Sequence, residues 1–153
     1  MAPSNQAVRL LPDIANDARP KVAGALDWVG MGEIEVPVAI AGGDGRTVTT
    51  PARVTAYVNL HRHEARGIHM SRLYLQLPES LANEALSAPA LRKLLESCIA
   101  SQQGLSSRAR LRLRYDHLLL RPALASGNSG WKNYPVALEA ELRDGHLQLS
   151  LAF

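Results

Sequence analysis

The stretch from Glu33 to Leu60 reads EIEVPVAIAGGDGRTVTTPARVTAYVNL. Ile34, Val36, Val38 and Ile40 recur at every second position with Glu33, Glu35 and Pro37 between them, which is the period of a half-buried strand. Gly42-Gly43-Asp44-Gly45 gathers residues that tolerate positive φ, and the alternation resumes at Val48, Ala52, Val54, Ala56, Val58 and Leu60. Two alternating segments around such a turn predict a hairpin, and therefore the start of an antiparallel sheet.

Beyond the hairpin the period changes. His61 to Ser71 is polar and reads as a loop leading into a helix that carries Leu73, Tyr74 and Leu77, with Pro78 limiting or kinking it. In the next segment Ser87 is placed to cap and Pro89 to occupy the first turn. Leu91, Leu94, Leu95, Cys98 and Ile99 then follow the i, i+3, i+4, i+7, i+8 spacing of an apolar helical stripe, and Gly104 is the natural stop. Alternation returns at Ala109, Leu111, Leu113 and Tyr115. It continues at Val136, Leu138, Ala140 and Leu142, and across Asp144-Gly145 at Leu147, Leu149 and Leu151. The order strand, strand, helix, helix, strand, strand, strand predicts an α+β fold, an antiparallel sheet with two helices on one face. Residues 1–30, rich in Pro, Asp, Asn and Gly, read as an N-terminal arm, and residues 31–153 as the module proper.

At 153 residues with 46% hydrophobic content, the chain is one domain large enough to fold on a core without disulfides or a structural metal. A single cysteine, Cys98, excludes an intramolecular disulfide and a Cys-rich zinc module built by this chain alone, and it points to a reducing compartment. No apolar run approaches the ~18 residues of a membrane span, and Met1 to Asp17 lack a signal layout, so no membrane partner and a cytoplasmic location are expected. The net charge of +3 is too small to predict a nucleic-acid surface, and none is expected.

Arg108, Arg110, Arg112 and Arg114 lie on one strand face, and such a row could track a phosphate backbone. Glu139 and Glu141 on the next strand favour cross-strand ion pairing instead. His61 and His63 have a chelating spacing but no third ligand, and Cys98 inside an apolar stripe reads as a buried, inert thiol. Two loops carry more. Glu64 to Arg72 places Arg66, His69, Ser71 and Arg72 beside Gly67 at a helix start, where anions bind. Ala125 to Lys132 joins Gly127 and Gly130 to Ser126, Ser129 and Lys132, a phosphate-nest composition without the order of a P-loop. From the residues alone, an anionic-ligand site and a pair of ordinary turns both remain open.

Four segments carry a family resemblance: Leu26-Asp27-Trp28-Val29-Gly30-Met31, Ala56-Tyr57-Val58-Asn59-Leu60, Ala65 to Arg72 with Tyr74, and Ser126 to Lys132 with Tyr134-Pro135. In register from about Leu11 onward, the chain resembles type IB GTP cyclohydrolase I. The resemblance implies the tunnelling fold, whose sheets associate around an axis into a homo-oligomer, here a tetramer, with active sites where subunits meet. It implies conversion of GTP and water to 7,8-dihydroneopterin triphosphate and formate, the first step of folate biosynthesis, with a divalent metal (zinc, manganese or iron) activating the water.

Members of that family are longer, and their metal-binding Cys segment, later His and purine-holding Glu fall beyond Phe153. Cys98 and His61 do not stand at those positions. The resemblance therefore implies an N-terminal portion, inactive alone, with no catalytic or metal-ligating residue of its own. Its expected contribution is substrate binding through Arg66, His69, Ser71, Arg72, Ser129 and Lys132. The alternatives are a non-catalytic oligomeric tunnelling-fold binding module and an archaeal-type iron-dependent GTP cyclohydrolase.

Overall fold

The computed structural model describes residues 24–153. Val36, Val38, Val54, Ala56, Val58, Leu111, Leu113 and Ala140 are all buried, so the alternating segments present their apolar sets to one side. The strands that carry them are β1 (Leu26–Ala41), β2 (Thr47–Leu60), β3 (Arg108–Pro122), β4 (Ser129–Arg143) and β5 (His146–Ala152). They form a single antiparallel sheet in the order β1-β2-β3-β4-β5. Between β2 and β3 run α1 (Met70–Asn83) and α2 (Ala88–Ser101). Leu73, Leu77 and Leu81 of α1 join Leu91, Leu94, Leu95 and Cys98 of α2 in one core with the apolar sheet face. The fold is α+β, five antiparallel strands and two helices, consistent with a tunnelling-type fold.

Local chemistry sets the element ends. The β1–β2 turn closes with the Gly42 N–H donating to the Arg46 carbonyl at 2.7 Å, and Asp44 Oδ1 accepts from the Arg46 N–H. At the β4–β5 turn Asp144 and Gly145 both have positive φ, as a two-residue hairpin of primed type requires. Ser87 Oγ accepts from the Ala90 N–H at 3.2 Å, capping α2 as its sequence predicts. Pro78 does not end α1. The buried stripe Leu73, Leu77, Leu81 spans both sides of it, so packing carries the helix past the missing N–H.

Three boundaries differ from the sequence reading. The arm does not extend to residue 30, because β1 begins at Leu26; of the arm, residues 1–23 lie outside the described residues. Periodicity hides this start. The β1–β2 register shifts between Leu26 and Val29 and again between Met31 and Ile34, with Glu33 at φ +54, and each irregularity breaks the period of two. Gly30 sits in that irregular stretch because a Cβ there would lie 1.8 Å from the Ala56 carbonyl oxygen.

The second difference is length. β3 and β4 pair continuously from Arg108↔Arg143 to Pro122↔Ser129, whereas β2 covers β3 only from Ala109 to Tyr115 and β5 covers β4 only from Ala137 to Arg143. The outer part, Asp116–Pro122 against Ser129–Pro135, is a two-stranded ribbon projecting from the sheet. The third difference follows: Ser129 to Lys132 belong to β4, and only Ala123 to Asn128 form the turn, closed by the Ala123 N–H to the Asn128 carbonyl at 2.9 Å.

Candidate anion-binding site

The loop from His61 to His69 is tied down at both ends by one short segment, the α2–β3 connection. At its start the His61 N–H donates to the Leu105 carbonyl, and Ser106 Oγ donates to the Asn59 carbonyl. Asn59 Oδ1 accepts from the N–H groups of Ser107 and Arg108, both at 2.8 Å. At its end the His69 N–H donates to Gln102 Oε1 at 2.7 Å. The intervening Arg62, His63, Glu64 and Arg66 are exposed, while Ile68 is buried in the core. A polar loop on two apolar-seated anchors keeps its backbone fixed and its charged side chains in water.

The loop runs directly into α1. His69 occupies the N-cap position with no side-chain cap, and no acidic residue stands in the first turn, where Ser71 and Arg72 lie at the positive end of the helix dipole. Ser71 is exposed in that first turn, and Arg72 is half-buried. Arg72 Nη1 is shielded from solvent without a hydrogen-bond partner among the described residues, and His69 beside it is buried. Among the described residues Arg62, Arg66 and Arg72 make no ion pair with a carboxylate, so their guanidinium donors are not spent on one.

Ser129 and Lys132 lie elsewhere. They are at the far end of the ribbon, and thirteen strand positions separate Ala109, beside the loop end of the sheet, from Pro122 at the tip. At ~3.3 Å per residue that is roughly 40 Å, so within one chain the two groups do not meet. Three apart on a strand, Ser129 and Lys132 also point to opposite faces. Lys132 Nζ lies 5.2 Å from the Tyr134 ring centroid, on the same face as Arg121, which likewise makes no ion pair among the described residues. Sequence reading passed over Arg62 and Arg121; the register that sets Arg121 opposite Gly130, two positions from Lys132, is the signal that finds the second.

The other candidates take their bland readings. Arg110 is bonded to Glu141, Arg112 to Glu139, Arg114 to Glu33, and Arg108 reaches Asp27 at 3.4 Å. Cys98 is buried, and loss of solvent pushes its thiol from 9.0 up to about 12. His61 and His63 are exposed, the His146 Nδ1 contacts the Asp144 carbonyl oxygen, and His117 meets Tyr115 edge to face.

Residues 11–153 match the family model described as type I GTP cyclohydrolase folE2. The chain belongs to that family. It is 40% identical over 142 residues to GTP cyclohydrolase FolE2 of Pseudoalteromonas translucida, covering 93% of this chain and 47% of that protein. The corresponding enzyme of Hydrogenovibrio crunogenus is 42% identical over 142 residues, with 93% and 45% covered. That of Pseudomonas putida is 44% identical over 144 residues, with 93% and 46% covered. The chain thus spans about half the length of the curated relatives it matches. The family description stands at type I and FolE2; the narrower type IB designation is not part of it.

A divalent metal does not fit the described residues. Among them no three His, Cys, Asp or Glu side chains come together, and Cys98, held as a neutral thiol in the core, is the wrong chemistry for a ligand thiolate. Among the same residues no helix is long and apolar enough to cross a membrane.

Proposed function

We propose that this chain supplies the triphosphate-binding part of a cytoplasmic GTP cyclohydrolase, which converts GTP and water to 7,8-dihydroneopterin triphosphate and formate in folate biosynthesis. The observation that carries the reading is the half-buried Arg72 in the first turn of α1, whose Nη1 has no hydrogen-bond partner and which makes no ion pair among the described residues. Arg66 and Arg72 offer forked N–H donors to phosphate oxygens, Ser71 a neutral donor, and the His69 peptide fixes where they stand. Lys132 adds a point charge and Ser129 a hydroxyl.

The loop and the ribbon tip reach one triphosphate only from different copies of the chain, which supports a homo-oligomer, a tetramer by family resemblance. Leu118, Leu120 and Trp131, exposed together on one face of the ribbon, suit a surface covered by another copy. Opening of the imidazole ring, with zinc, manganese or iron activating water, is assigned to no residue described in this chain.

The test is product analysis with GTP, using protein of full family length that carries this chain as its first half. Equal amounts of formate and fluorescent dihydroneopterin triphosphate support the reading. A cyclic phosphate product transfers the chain to the archaeal-type, iron-dependent chemistry. Retention of GTP without turnover identifies a non-catalytic binding module.

A further inference from the structure

Gln102 is completely buried at the C-terminal end of α2. A primary amide shut away from water must have its donors and acceptor satisfied, and Met would fill the same space without that demand. Here the amide is spent on the backbone of one residue in another element. Its Oε1 accepts from the His69 N–H at 2.7 Å, its Nε2 faces the His69 carbonyl at 3.4 Å, and Nε2 also donates to Ser101 Oγ at 3.0 Å.

His69 is the residue at which the loop becomes helix. Its carbonyl accepts the first helical bond, from the Leu73 N–H at 3.1 Å, and its own side chain makes no capping hydrogen bond. A helix start without a cap frays readily, because its first N–H groups have no partner inside the helix. The amide of Gln102 accepts from outside the N-cap N–H that a capping-box Glu at the third helical position would take, a position held here by Arg72. It clasps the peptide on both sides of His69, between Arg66 and Arg72.

We infer that Gln102 is the positioning residue of the anion-binding loop: buried and unable to touch a ligand, it fixes the His69 peptide so that Arg66, Ser71 and Arg72 converge on one phosphate group. The inference rests on the proposed phosphate role of that loop and deepens it.

The experiment compares GTP and guanosine binding by the 153-residue chain as wild type, Gln102→Met and Arg72→Ala, with amide hydrogen exchange at His69 and Leu73. Gln102→Met keeps the volume and removes the clasp. It is expected to remain folded, to exchange the His69 amide faster, and to weaken GTP about ten-fold, the equivalent of a typical net hydrogen bond, while guanosine is unchanged. A folded Gln102→Met that binds GTP as wild type does overturns the positioning role alone. An Arg72→Ala that binds GTP as wild type does overturns the phosphate reading, and the positioning role with it. If Gln102→Met does not fold, wild-type exchange decides: slower exchange at His69 on adding inorganic triphosphate supports the role, and unchanged exchange overturns it.

Discussion

The arginines of β3 and the arginines of the His61–His69 loop and α1 are the same side chain put to opposite use. On β3 the four guanidinium groups of Arg108, Arg110, Arg112 and Arg114 face Asp27, Glu141, Glu139 and Glu33, and Trp28 lies over Arg110 with the guanidinium carbon 4.2 Å from a ring centroid. Register does this. Arg110 stands directly opposite Glu141 and Arg112 opposite Glu139, so strand pairing brings the acids with it. Arg62, Arg66 and Arg72 stand outside the strands, and among the described residues no carboxylate pairs with them, Glu64 of their own loop included. Charge density along a sequence therefore says little about charge available to a ligand; the availability depends on what the backbone sets opposite.

The largest effect should come from a change that removes the support common to both regions. Leu95 is buried where α2 meets the sheet, and Leu95→Ala is expected to cost about 2–5 kcal/mol by denaturant unfolding; a cost under ~0.5 kcal/mol would show α2 undocked. Cys98, one position on along the same stripe, checks that core without a mutation. Its thiol is raised in the fold, so the stability that the neutral form contributes is complete below about 9 and is lost as pH rises from about 9 toward 12. Thiol labelling of the native protein should accordingly be far slower than in denaturant.

Gly30→Ala separates the two regions. The added methyl would meet the Ala56 carbonyl, so β1 must shift, at an expected ~1–3 kcal/mol, and the neighbouring Glu33 should lose its hold on Arg114. Ligand binding at the loop should be untouched. The smallest effect belongs to Arg112→Ala, which breaks a half-exposed pair with Glu139 and should cost under ~1 kcal/mol, diminishing with added salt. A larger cost would mean that the row is a stability device rather than a neutralised surface.

Most of the scaffold was readable because alternation and helical spacing survive wherever one face is buried. The stripe Leu91, Leu94, Leu95, Cys98 and the Ser87 cap are instances. Backbone irregularity and long-range placement leave no such period. The start of β1 is masked by two register shifts and a left-handed Glu33. The ribbon beyond Tyr115 buries no residue fully, and although exposure alternates as far as Leu120, the run Leu118-Leu119-Leu120 shows no period of two in the sequence. Of the site, the loop and its arginines were visible as composition at a helix start. Gln102 was not, since a buried amide bound to a peptide 33 residues away leaves no local signature. The separation of Lys132 from Arg72 follows from sheet register alone and has no trace in spacing.

On the proposed reading Arg72 is available to phosphate while the β3 row is not. The most direct measurement is the ratio of GTP to guanosine affinity in Arg72→Ala beside Arg112→Ala, at one low ionic strength. Arg72→Ala should lose GTP relative to guanosine by roughly 1.5–3 kcal/mol, the value of a charged hydrogen bond, and Arg112→Ala should leave the ratio at its wild-type value. Equal losses of both ligands in Arg72→Ala, or a GTP-selective loss in Arg112→Ala, would contradict the account.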